Sequence, residues 1–299
     1  RRRARRAFHH RQMTHADERF ESGAPAYAAY LQTTEGRLRL DIAWENLLSD
    51  IGATRETQAS PGVRQARAEE MPRALDLGGG TGAFALRFAA LGWHVSIVDP
   101  SATMLSLAAD AALAQGFPAG RVTFHQAAAE RARELFAPQT FDAAVCHNVL
   151  EYVSDPHAVV RALAALVRTG GTVSLVARNR AGEAMRAALK AHDLDEAERA
   201  LAADVVNESL YGGPARLFDA ESLRALATEA GMNVVAVRGV RVLADYLPAS
   251  LSGTPETYAR LLAFERTLGA RPEFASVARY TQIIARPPGT ATASGHGSS

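Results

Sequence analysis

A chain of 299 residues, 47% of them hydrophobic, can bury one large α/β core. It has no apolar run near the ~18 residues of a membrane-spanning helix. The single cysteine, Cys146, excludes an internal disulfide and a cysteine-based metal cage, and fits a reducing cytoplasm. The net charge is +1, and all 33 basic residues but Lys190 are arginine, a compositional bias more than a nucleic-acid surface. Six arginines lie in the first twelve residues, and without them the charge falls from +1 to −5, so an electropositive footprint for RNA would have to be local.

In chain order, residues 1–15 are expected to be a disordered basic tail, too polar for a secretory signal, with Met13 a candidate start. Residues 16–286 form a single domain, and 287–299 a second disordered tail. A helical cap over 16–57 includes an amphipathic helix from Gly36 to Ile51, and Thr54 to Pro72, with Ser60-Pro61-Gly62, is a linker. Strands are predicted at Ala74–Leu77, His94–Val98, Val122–His125, Phe141–Val145 and Thr172–Ala177, with helices at Gly82–Leu91, Ala102–Gln115 and Pro156–Val167. This alternation implies a mainly parallel sheet covered by helices on both faces. A helical insertion over 183–217 follows, with an alanine-rich helix from Glu183 to Asn207 carrying or closely followed by Asp193, Asp195, Glu196, Glu198, Asp204 and Glu208. Asp219 caps a helix that Gly231 stops, and late strands at Asn233–Val242 and Ala278–Ala285 bracket a helix near Glu256–Leu268.

Ligands of such sheets bind outside the carboxyl ends of the strands. There, Asp76-Leu77-Gly78-Gly79-Gly80-Thr81-Gly82 ends the first strand in a turn that lets backbone approach a ligand. Gly78, Gly80 and Ala83 satisfy the dinucleotide pattern G-x-G-x-x-G/A, with Asp99 ~20 residues on, as a nicotinamide enzyme requires. Asp76, Gly78, Gly80 and Gly82 equally make D-x-G-x-G-x-G, the first motif of S-adenosylmethionine-dependent methyltransferases. Asp99 can accept both ribose hydroxyls of an adenosine in either case, or cap the next helix, a duty Ser101 could supply instead. Three later matches favour methyl transfer: Asp99-Pro100-Ser101 with Met104-Leu105, the run His147 to Pro156 after the fourth strand, and Val167 to Thr172, a turn before the fifth. His147 is either a satisfied loop residue or a ring beside the ligands, where its near-neutral pKa would permit base work. Cys146 points to the opposite side, into the core, and the other histidines show no metal spacing.

With these residues the chain resembles the bacterial tRNA 5-carboxymethoxyuridine methyltransferases, class I enzymes that methylate the carboxylate on a wobble uridine. The likeness runs from Phe20 to Arg286. It includes Thr33 to Arg39 ahead of Trp44, Val240-Arg241-Val242 followed by Asp245-Tyr246-Leu247, and Arg279-Tyr280. The resemblance implies a Rossmann-like class I sheet, mainly parallel with an antiparallel strand near the C-terminus and a helical insertion after the fifth strand. It implies S-adenosyl-L-methionine as cofactor, tRNA as a partner and a cytoplasmic setting without a membrane. Cofactor contacts fall on Arg39, Gly78, Gly79, Asp99, Ala128 and His147, with Arg39 engaging the methionine carboxylate as a bidentate pair, unless it is a surface arginine. An acceptor carboxylate is ionised at neutral pH and needs a clamp but no general base. Arg178, Asn179, Arg216, Arg241, Tyr246, Arg279 and Tyr280 are candidates for that clamp. Where relatives acting on tRNA carry lysines, this chain has the acidic stretch Asp193 to Glu208, which repels phosphate. A small-molecule acid or phenol is therefore the alternative acceptor, and a non-catalytic cofactor-binding protein a third reading.

Overall fold

The computed structural model describes residues 15–57, 71–208 and 210–288. The first arginines with Met13, most of the expected linker and the tail from 289 lie outside them. Strands β1 (Arg73–Leu77), β2 (His94–Asp99), β3 (Val122–Gln126), β4 (Phe141–His147) and β5 (Val167–Arg178) pair in parallel in the order β3-β2-β1-β4-β5. A short hairpin, β6 (Val205–Asn207) with β7 (Pro214–Arg216), stands apart from this sheet. Of the last two strands, β8 (Asn233–Val240) takes the edge, and β9 (Tyr280–Arg286) slots in antiparallel between β5 and β8.

Strand alternation sends neighbouring side chains to opposite faces, and each face has its own apolar layer. On one, Leu75, Cys146, Leu175 and Ile283 pack with Leu163 and Leu223. On the other, Ala74, Val145 and Ile284 pack with Leu38, Ile42, Leu47 and Phe88, and Trp44 meets Phe84 and Phe88 edge-on at 5.4 and 4.9 Å. The helices, in chain order, are α1 (His15–Tyr30), α2 (Thr34–Thr57), α3 (Ala85–Ala90), α4 (Ala102–Ala114), α5 (Ala132–Leu135) and α6 (Pro156–Leu166). Then come α7 (Arg180–Leu189), α8 (Leu194–Ala202), α9 (Ala220–Glu229), α10 (Pro255–Gly269) and α11 (Pro272–Ala275). Asp219 caps α9 as expected, accepting from Ser222 N at 2.8 Å, and Gly231 follows its end at φ +80°. No helix among the described residues is long and apolar enough to cross a membrane.

Three expectations are corrected. The segment Glu183 to Asn207 is not one helix but α7, α8 and β6, because His192 turns left-handed at φ +56° and Asp193 caps a new helix through Glu196 N at 2.8 Å. α3 starts at Ala85 and not Gly82, whose φ of +73° leaves the helical region. The run Val167 to Thr172 is part of β5, in a register shift against Phe141 and Ala143 where Gly170 takes φ +72°.

Helix α1 crosses the carboxyl ends of the strands as a fixed cover. Glu21 accepts from the first amides of α4, Ala102 N at 2.6 Å and Thr103 N at 3.1 Å. Arg19 Nη1 donates to the carbonyls of Gly212 and Pro214 at the β6–β7 turn, at 3.0 and 3.2 Å.

Candidate functional site

Beneath α1 lies a cavity of about 1050 Å³ bounded by the ends of β1, β2, β4, β5 and β9. At its β1–β2 side Gly78 has φ +74°, its N–H donates to Val98 O at 2.7 Å, and a Cβ there would stand 2.2 Å from Val149 Cγ2. Asp99 is buried and accepts from Gly80 N and Ser101 N, each at 2.9 Å. Ser101 Oγ accepts from Met104 N at 3.0 Å, so it is Ser101 that caps α4 through its side chain. Behind them Asp76 is buried with Oδ2 unpartnered, and burial together with the Asp99 charge pushes its carboxyl up to about 7.

The middle of the cavity is the end of β4. Arg39, buried on α2, donates through Nη1 to Asn148 Oδ1 and through Nη2 to Tyr27 Oη at 2.9 Å. Asn148 adopts φ +56°, a left-handed turn that asparagine tolerates better than most residues, and donates to Glu151 Oε1 at 3.0 Å. His147 belongs to a buried polar chain reaching back to α2. Asn46 Nδ2 donates to Gln282 Oε1 at 2.9 Å, and Gln282 Nε2 donates to Ala43 O and Ser174 Oγ, each at 3.0 Å. Ser174 Oγ lies 2.8 Å from His147 Nε2. Burial and then Arg39 push His147 down to about 3, so the ring is neutral.

At the β5–β9 end, three arginines gather round Tyr280. Arg178 pairs with Glu183 and Glu208, each at 3.3 Å, Arg279 also pairs with Glu183, and Arg241 pairs with Asp245 and donates to Tyr30 Oη at 2.8 Å. Arg241 holds φ +63°, an unusual setting for a long side chain. Burial raises the carboxyl of Glu183, but Arg279 and Arg178 outweigh it and bring it down to about 2.

Of the residues singled out from the sequence, Arg39, Gly78, Asp99, Ala128, His147, Arg178 and Tyr280 line this one cavity, as do Arg241 and Arg279. Gly79 lines a narrow side cleft with Asp76 and Phe84. Asn179 and Arg216 are not brought to the cavity. Asn179 Nδ2 donates to the carbonyls of Ser276 and Ala278 at 2.9 and 2.8 Å, and Arg216 Nη1 to those of Leu150 and Val153 at 3.4 and 3.3 Å. Tyr246 does not line it either. Glu208, expected as surface acid, is buried against Arg178 and accepts from Leu210 N and Tyr211 N. Sequence reasoning missed the aromatic cover. Phe20 meets Tyr211 at 5.0 Å and Tyr152 at 5.3 Å, and Tyr27 meets Tyr211 at 5.7 Å. The one available signal was Phe20, Tyr27 and Tyr30 at helical spacing on α1.

A family model described as a methyltransferase domain matches residues 44–237. The tRNA 5-carboxymethoxyuridine methyltransferase of Escherichia coli K12 is 29% identical, over 91% of this chain and 97% of that protein. The ubiquinone biosynthesis O-methyltransferase of Aeromonas salmonicida is 37% identical, but over 36% of this chain and 44% of that one. Among solved structures, an S-adenosylmethionine-dependent methyltransferase of Thermotoga maritima shares the fold with a TM-score of 0.53 at 16% identity, covering 91% of this chain and all of its own. The phosphoethanolamine N-methyltransferase 2 of Haemonchus contortus does so at 0.54 and 14%, covering 93% and 61%. The glycine turn, Asp99 and the sheet order thus stand within a known lineage: the chain belongs to the methyltransferase domain family and is an S-adenosylmethionine-dependent methyltransferase.

Proposed function

We propose that the acceptor is a carboxylate, methylated on oxygen while seated among Arg178, Arg241 and Arg279. The observation that carries this reading is the convergence of those guanidiniums on Tyr280, at the β5–β9 end of the cavity. Arg178 ends a strand three places along the sheet from Asp99, roughly 14 Å at ordinary strand spacing, which leaves room for two ligands side by side.

The residues present fit the donor. Gly78 leaves the backbone open where a Cβ would collide, Asp99 presents a buried carboxylate to the cavity, and Asp76 Oδ2, without a hydrogen-bond partner among the described residues, suits a donor group. In this reading Gly78, Gly79 and Ala128 shape the donor's bed, Asp99 holds its ribose, Arg39 its carboxylate, and His147 is a neutral ring beside it. S-adenosylmethionine supplies a methyl group on a sulfonium, open to in-line displacement. An ionised carboxylate needs no proton removed, so the protein's task is alignment in a dry site, for which the aromatic cover and α1 exclude water.

The Escherichia coli relative is named for 5-carboxymethoxyuridine in tRNA, a group that combines a carboxylate with a flat ring. We place that same acceptor here, in the cytoplasm. A labelled-methyl assay on tRNA bearing 5-carboxymethoxyuridine is expected to give a labelled product that mild alkali hydrolyses, as an ester must. A second acceptor, a small-molecule acid or phenol, is favoured by the aromatic enclosure and by the exposed Asp193, Asp195 and Glu198 on and at the start of α8. Label entering a small-molecule extract and not tRNA would decide for it.

A further inference from the structure

Tyr280 is buried where four structural elements meet. Around its ring centroid the guanidinium carbons of Arg279, Arg241 and Arg39 lie at 5.7, 5.8 and 6.0 Å, and Arg178 is its cross-strand partner on β5. From α1, the Tyr30 hydroxyl accepts from Arg241 Nη1 at 2.8 Å. The carboxylates facing this group are shared already: Glu183 by Arg178, Arg279 and Arg186, Glu208 by Arg178, and Asp245 by Arg241, with Lys190 at 4.0 Å. Arg186 and Lys190 add two cations to the four guanidiniums, and Glu151 against Arg178 and Glu35 against Lys190 add two carboxylates to the three, so six cations around one phenol face five carboxylates. An uncompensated charge in a buried site is costly, and either a bound anion or the phenolate of Tyr280 can neutralise it. The two exclude each other, because together they would bring a second negative charge into contact with the first.

We propose that Tyr280 is the specificity-determining residue of the acceptor site: as a neutral phenol it donates a hydrogen bond to the acceptor carboxylate, and as a phenolate it takes that carboxylate's place. The proposal rests on the carboxylate reading above. Burial pushes the Tyr280 phenol up, but Arg241, Arg279, Arg178 and Arg39 outweigh it and bring it down to about 7, so both states are reached near neutrality. Its neighbours move the other way: burial pushes Tyr30 up to about 12 and raises Tyr152 and Tyr211 well above the ordinary phenol range.

The test is the pH dependence of methyl transfer to tRNA bearing 5-carboxymethoxyuridine. The apparent KM is expected to rise about tenfold per pH unit above about 7, with kcat at saturation level. Tyr280→Phe should raise KM at low pH and abolish the alkaline rise, while its affinity for S-adenosylhomocysteine stays that of the wild type and reports an intact fold. On the unaltered protein, near-ultraviolet phenolate absorbance should grow through about pH 7 and be suppressed by the 5-carboxymethoxyuridine nucleoside. An alkaline rise that survives in Tyr280→Phe, or a wild type without that absorbance, overturns the proposal even where an alkali-labile product upholds the carboxylate reading. An alkali-stable product overturns that reading, and the proposal with it.

Discussion

Asp76 sits in a tension that the rest of its strand does not share. It is buried beside a second carboxylate with one oxygen unpartnered, and its pKa is raised to about 7 by burial first and Asp99 second. For a group raised above its unfolded value, the stability held by the neutral form is full below the ordinary carboxylate range and is lost as pH rises through about 7. The loss is on the order of a few kcal/mol. Asp76→Asn is therefore expected to raise the melting temperature of the ligand-free protein at neutral pH, and to weaken S-adenosylhomocysteine binding in calorimetry about tenfold or more. A variant that gained stability without losing affinity would remove Asp76 from the donor site. The residues most readable from sequence were those whose type is dictated by backbone: Gly78 and Gly80 stand, at φ +74° and +52°, in a turn that few other residues could make. Asn179 and Arg216 misled for the opposite reason, since a polar side chain at a strand end can as well satisfy a neighbouring carbonyl as a ligand, and only tertiary structure decides which.

Helices here are held to the sheet by close backbone approach as much as by side-chain burial. A Cβ at Gly269, the last residue of α10, would lie 2.2 Å from Gly239 O on β8, an atom that cannot swing aside. Gly269→Ala should therefore cost about 1–3 kcal/mol by denaturant titration, whereas alanine at Gly116, where nothing lies within 4 Å, should lose only what its φ of +71° imposes. A larger loss at Gly116 would contradict this packing. The sheet and its covering helices were legible because their apolar periods are long and regular. The break between α7 and α8 was not, because alanine favours helix on both sides of it and the interruption rests on one left-handed histidine and one capping aspartate. Likewise the β6–β7 hairpin showed only Gly212-Gly213, at φ +72° and +88°, as a turn signal.

Over the whole molecule charge is distributed unevenly. Beyond the first twelve residues the chain is net negative, and most of the cations that line the cavity are paired with acids within it. If the acceptor is carried on tRNA, as proposed above, attraction for its phosphates falls to the arginine-rich first twelve residues. Compared with a chain begun at Met13, the full chain is expected to bind tRNA more tightly at low salt, with a slope of log affinity against log salt steeper by up to about 4. Equal slopes for the two would take the segment out of RNA binding. Placement of the site within the sheet has a further consequence, one of timing. β9 is the last strand of the described chain, yet it lies inside the sheet between β5 and β8 and brings Tyr280 to the acceptor end and Gln282 to the polar chain behind His147. During translation, every earlier strand leaves the ribosome before this one. The nascent chain must keep the facing edges of β5 and β8 unpaired until residues 280–286 emerge, and each copy completes its pocket only after every other strand of the sheet has left the ribosome.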